Sequence, residues 1–63
     1  MSGTFLEMTE VYGMEDRRRT VYVNLTNVIR ITSAPVGCYI LSVGDTHSIR
    51  VDESPEAIMA SLP

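Results

Sequence analysis

The sequence predicts a mainly β domain of the α+β class, with five short antiparallel strands and one C-terminal helix. Three observations carry this. Apolar and polar residues alternate with period two along most of the chain. The gaps between the alternating runs hold Gly, Pro, Asn and Asp, which supply turn chemistry. Near the end the period changes, after a Ser-Pro-Glu helix start.

The first strand is predicted over about 5–12. Leu6 and Met8 alternate with Glu7 and Thr9, while Phe5 and Val11 share the Glu7 side. Gly13 then opens a polar hairpin loop that runs through Met14, Glu15 and Asp16 and carries the arginine triplet. The second strand, about 19–24, puts Val21 and Val23 on one face and Tyr22 on the other. Asn24 is placed to cap a single helical or 3₁₀ turn before the next strand. Val28, Ile29 and Ile31 favour a third strand over about 28–33. Pro35 and Gly37 mark a turn. Strand four, about 38–43, carries Tyr39, Leu41 and Val43 against Cys38, Ile40 and Ser42. Gly44-Asp45 reads as a two-residue type II′ hairpin loop. It leads into a fifth strand over about 46–52, where His47, Ile49 and Val51 share a face. The helix is predicted over about 55–62, with Ser54 as its cap, Pro55 at its first position and Glu56 near its positive end. Ile58 and Leu62 give it a narrow apolar stripe, and Met59 is expected to join Met8 in the core beneath it. The connections are short enough for sequential hairpins. The whole, residues 1–63, forms one domain, either a twisted meander or a partly open SH3-like barrel.

Length and composition narrow the function. A chain of 63 residues builds a small core, which partners or staples usually supplement. Cys38 is the sole cysteine and His47 the sole histidine, so intrachain disulfides and Cys/His zinc cages are excluded. Five cations against eight acids give a net charge of -3, which argues against electrostatic binding of nucleic acid. No apolar run is long enough to span a membrane. The opening residues lack the pattern of a signal peptide, and a lone thiol suits a reducing compartment, so a cytoplasmic location is expected.

Four constellations stand out. Arg17, Arg18 and Arg19 on a hairpin tip suit phosphate or an acidic partner, or else form a solvated run beside Glu15 and Asp16 that neutralise two of them. His47 near Asp45 and Asp52 suggests acid–base or metal chemistry, but without a second ligand it reads as a structural histidine at a strand start. Cys38 has no paired base and reads as a small packing residue. The four aromatics, Phe5, Tyr12, Tyr22 and Tyr39, could stack bases or serve packing and protein contacts.

The candidate interaction surface is therefore Arg17, Arg18, Arg19, Tyr22 and Phe5. No catalytic, metal or cofactor site is expected, and no cofactor. The expected function is a non-enzymatic protein-interaction or structural module that assembles with itself. One short helix covers one face of the sheet, leaving Phe5, Val11, Tyr22 or Ile29 in water unless a partner covers them. The alternative is a small regulator that binds nucleic acid through the Arg17–Arg19 loop.

Several segments resemble one family. Leu6-Glu7-Met8-Thr9 with Gly13, Val23-Asn24 leading to Val28 and Ile31, Tyr39 to Val43 with Gly44, and Val51-Asp52-Glu53-Ser54-Pro55 resemble the small FlbD-type flagellar and swarming-motility proteins. The Glu53-Ser54 pair and Asn24 are the most distinctive of these. The arginine-bearing first loop, with Pro35 and Gly37 in the second turn, departs from that pattern. The resemblance implies a motility setting and carries no catalytic residues.

Overall fold

A computed structural model describes residues 4–62. Five strands form one antiparallel sheet: β1 (Phe5–Tyr12), β2 (Arg17–Asn24), β3 (Val28–Ser33), β4 (Cys38–Ser42) and β5 (Ile49–Val51). A 3₁₀ turn, Leu25–Asn27, joins β2 to β3, and helix α1 (Pro55–Ala60) follows β5. The strand order is β2-β1-β5-β4-β3. It is a ring of sequential neighbours opened at one place, between β2 and β3. Of the two expected arrangements this is the partly open one: a linear meander would leave β1 and β5 at the edges, whereas here they pair.

Alternation sets the two faces. β1 and β2 pair along their full length, from Phe5 opposite Asn24 to Tyr12 opposite Arg17. Leu6, Met8, Val21 and Val23 thereby share the inner face, where they meet Cys38, Ile40, Val51, Leu25 and Ile58 in a single core. Met8, Cys38, Ile40, Val51 and Ile58 are almost wholly removed from water. Gly37 lets β4 lie this close to β5. Its φ is +74°, and a Cβ there would overlap the Val51 carbonyl oxygen.

The structure corrects several details. β2 begins at Arg17, so the three arginines lie on a strand instead of a loop tip. The reason is the complete β1–β2 ladder, which leaves only Gly13–Asp16 for the turn. β5 is confined to Ile49–Val51, and Gly44-Asp45 is not a two-residue hairpin loop. β4 stops at Ser42 because the Val43 amide donates to Asn27 O at 2.8 Å, tying the chain to the 3₁₀ turn. Asp45 N then donates to Ser42 O at 3.0 Å, and Gly44, with φ +87°, takes the third turn position, where a type II turn needs positive φ. His47 consequently sits exposed in the loop before β5, not on a strand.

Helix α1 ends at Ala60, with the Ser61 N–H closing back onto Ile58 O at 3.0 Å. Met59 is 57% exposed and lies outside the core, because a neighbour of the buried Ile58 is turned roughly 100° around the helix. Val11 is buried at 7%, although it is on the outer face. It stands directly opposite Arg18 on one side and Arg50 on the other, and their aliphatic stems shield it. Phe5, Tyr22 and Ile29 are exposed, as expected.

Candidate interaction surface

The arginine triplet does not form one basic patch. On a strand, consecutive side chains alternate, so Arg18 lies on the outer face while Arg17 and Arg19 lie on the other. Each has a carboxylate. Arg17 Nη2 is 3.1 Å from Glu15 Oε1. Arg18 Nε is 2.7 Å from Asp52 Oδ2, and its Nη1 also donates to Asp16 O at 3.2 Å. Arg19 Nε is 2.9 Å from Glu10 Oε1, and its guanidinium stacks 4.2 Å from the Tyr12 ring centroid. The hydrogen bond to Asp52 raises the Arg18 pKa, and that to Glu10 raises the Arg19 pKa. Glu10 is buried, and Arg19 supplies the charge partner that a buried carboxylate needs. Asp16 lies beside the triplet, as expected, and its charge also acts on Arg18, while its carboxylate reaches Arg50 Nη1 at 3.8 Å.

Phe5 and Tyr22 are brought near one another. Phe5 pairs with Asn24, and Tyr22 is two residues along β2, so the rings are diagonal neighbours on the outer face. They are 60% and 66% exposed. Thus the five expected surface residues divide: Phe5 and Tyr22 share the outer face with the ion-paired Arg18, and Arg17 and Arg19 lie across the sheet.

Cys38 and Asp52 are engaged within the fold. Cys38 is fully buried, and its thiol donates to Glu53 O at 3.5 Å. Burial first, then the carboxylates of Glu53 and Glu56, push its pKa up, so it is not a thiolate nucleophile at neutral pH. Asp52, one of the acids near His47 in sequence, is engaged by Arg18. Among the described residues no group of three His, Cys, Asp or Glu side chains could hold a metal ion. Among the described residues no helix is long and apolar enough to cross a membrane.

Asn24 caps the 3₁₀ turn, its Oδ1 accepting from Thr26 N at 3.1 Å and Thr26 Oγ1 at 2.7 Å. Ser54 caps α1, its Oγ accepting from Ala57 N at 3.1 Å. Glu53 has a role that the sequence pattern alone did not disclose. Both its carboxylate oxygens accept from Thr9 N, at 3.0 and 3.2 Å, and so continue the β1–β5 ladder where β5 has ended. Asn24, Glu53 and Ser54, the distinctive residues of the FlbD-type resemblance, therefore all have architectural jobs here.

Grooves open on the surface of the described residues, and two of them bear on function. One, of about 390 Å³, lies inside the gap by β2, between Val21, Val23, Val43 and Ile49, with Glu10 and Asp45 on its walls. The other, of about 270 Å³, runs between β3 and α1 and is lined by Val28, Ile29, Arg30, Ile31, Met59 and Leu62. Ile29 and Met59 project from it, 62% and 57% exposed. Of this second groove only Ile29 was expected to stand in water, and none of its residues was in the expected interaction surface. Its sequence signal was Met59, an apolar residue one step off the Ile58–Leu62 stripe. Searched against known protein families, curated proteins and solved structures, the chain matches none.

Proposed function

We propose that this protein is a non-enzymatic interaction module that assembles with copies of itself. The observation that supports this most is the apolar groove beside β3, where Ile29 and Met59 stand in water next to a sheet edge with no strand partner. Exposed large apolar side chains clustered at an open edge are what native proteins normally cover. The outer-face pair Phe5 and Tyr22 adds a second apolar area on the opposite side of the sheet. The buried thiol of Cys38 suits a cytoplasmic, reducing setting, and the FlbD-type resemblance suggests a motility context.

The nucleic-acid reading has less support. Arg17, Arg18 and Arg19 each hold a carboxylate and divide between two faces, so they offer little net field to a phosphate chain. Size-exclusion chromatography with light scattering at high micromolar concentration tests the self-assembly reading. A dimer or larger mass is expected, and a strictly monomeric mass overturns it.

A further inference from the structure

We infer that the groove between β3 and α1 is the dimer contact, and that a two-fold axis there pairs Arg30 of each copy with the partner's Glu56. This rests on the self-assembly reading above and names its surface. Arg17, Arg18, Arg19 and Arg50 all have a carboxylate within ion-pair distance, and among the described residues Arg30 has none. Arg30 lines the apolar groove. Glu56 is exposed on α1, is likewise without an ion-pair partner, and lies one helical turn before Met59, which lines the same groove.

The patch therefore carries an apolar centre, Ile29 and Met59, with one charge of each sign beside it that no described residue matches. That composition is what a two-fold contact requires, because the same patch must complement itself: a cation that meets an anion on one side meets it again on the other. A patch with one sign of charge would repel its copy. A stable interface buries about 800 Å² per partner, close to a fifth of the 4387 Å² surface, so it takes in the α1 face and the β3 edge together.

The contact is made through side chains and not by adding strands. β3 carries a bulge between Val28 and Arg30, which twists the edge and breaks the hydrogen-bond repeat a second strand would need. Ile29 is the residue at that bulge, and this is why a β-strand residue projects outward so far.

Charge reversal tests the pairing. Arg30→Glu alone and Glu56→Arg alone should each weaken self-association by about tenfold or more, since like charges then face each other across the axis. Each should melt within a few degrees of the parent. Mixing the two single variants should restore a dimer containing one chain of each, because one copy then carries two acids and the other two arginines. The double variant Arg30→Glu/Glu56→Arg should dimerise with itself. Met59→Asp should yield a folded monomer. If the parent is a dimer and the single variants dimerise equally well, or if mixing restores nothing, the pairing is wrong while self-assembly stands. If the parent itself is monomeric, the self-assembly reading and this contact fall together.

Discussion

The two free edges of the sheet are built differently. β2 presents three arginines, and every one is matched by an acid from its own chain. β3 presents a bulge, an exposed isoleucine and an arginine with no ion-pair partner among the described residues. Matched charges fulfil their electrostatics within the molecule and keep an edge from pairing. An unmatched charge beside exposed apolar groups leaves an edge incomplete. The more conspicuous sequence feature, the arginine triplet, is thus on the completed edge, and the quieter one is on the edge with something left to bind.

The largest effect comes from removing the anchor of the β3 side. Ile58→Ala deletes fully buried methyl groups that hold α1 against the sheet, and should cost about 2–5 kcal/mol, enough to unfold a domain this small. Thermal melts by circular dichroism measure it, and a parent-like melt would mean that α1 does not close the core. Ser54→Ala should cost about 0.5–2 kcal/mol by freeing the Ala57 amide of its acceptor. A loss as large as that of Ile58→Ala would contradict this ordering.

The Cys38 thiol, bonded to the chain just before α1, makes stability pH-dependent. Its pKa is raised in the folded state, so the folded form holds its proton more tightly than the unfolded chain. The stabilisation is complete below the unfolded pKa, near 9.0, and declines as pH rises above it, by at most about 1.4 kcal/mol per pH unit. Denaturant titrations at pH 8 and above should show this decline in the parent, and Cys38→Ala should flatten it. An unchanged slope would assign the decline to other groups.

The smallest effects sharpen the contrast between the edges. Arg17→Ala on β2 and Glu56→Ala on α1 should each leave monomer stability within about 0.5 kcal/mol of the parent, since both residues are exposed. Sedimentation equilibrium should separate them: Glu56→Ala weakens association and Arg17→Ala leaves it alone. Equal effects on association would erase the distinction between the edges.

Most of the architecture was readable in the sequence because it depends on local signals. Period-two alternation gave β1, β3 and the start of β4 at their observed positions, and Ser54-Pro55 gave the start of α1. The misplacements came from long-range bonds that no local pattern encodes. Val43 reaches back to Asn27, which shortens β4 and turns the Gly44 region from a tight hairpin into a longer loop. Arg18 reaches Asp52 and Arg50 reaches Asp16, which converts an apparent basic run into cross-strand ion pairs over Val11. The groove went unrecognised for a similar reason. It depends on α1 lying along β3, and on which charges stay unpaired once all the others have met.

The shortness of β5 has a consequence for how the molecule folds and opens. β1–β2 and β3–β4 are each hairpins of neighbouring segments, and short loops close quickly. The short strand Ile49–Val51, continued by the bonds of Asp52 and Glu53 to Thr9, joins these hairpins into one sheet, with Val51 opposite Glu10 and Cys38. The pairing with β1 spans about 40 residues of chain and carries the larger closure entropy, so it forms last. Once it is lost, neither hairpin retains a full core. The amides of β5 should therefore exchange with solvent only when the whole domain unfolds, and the lifetime of the native state is set by the shortest strand it contains.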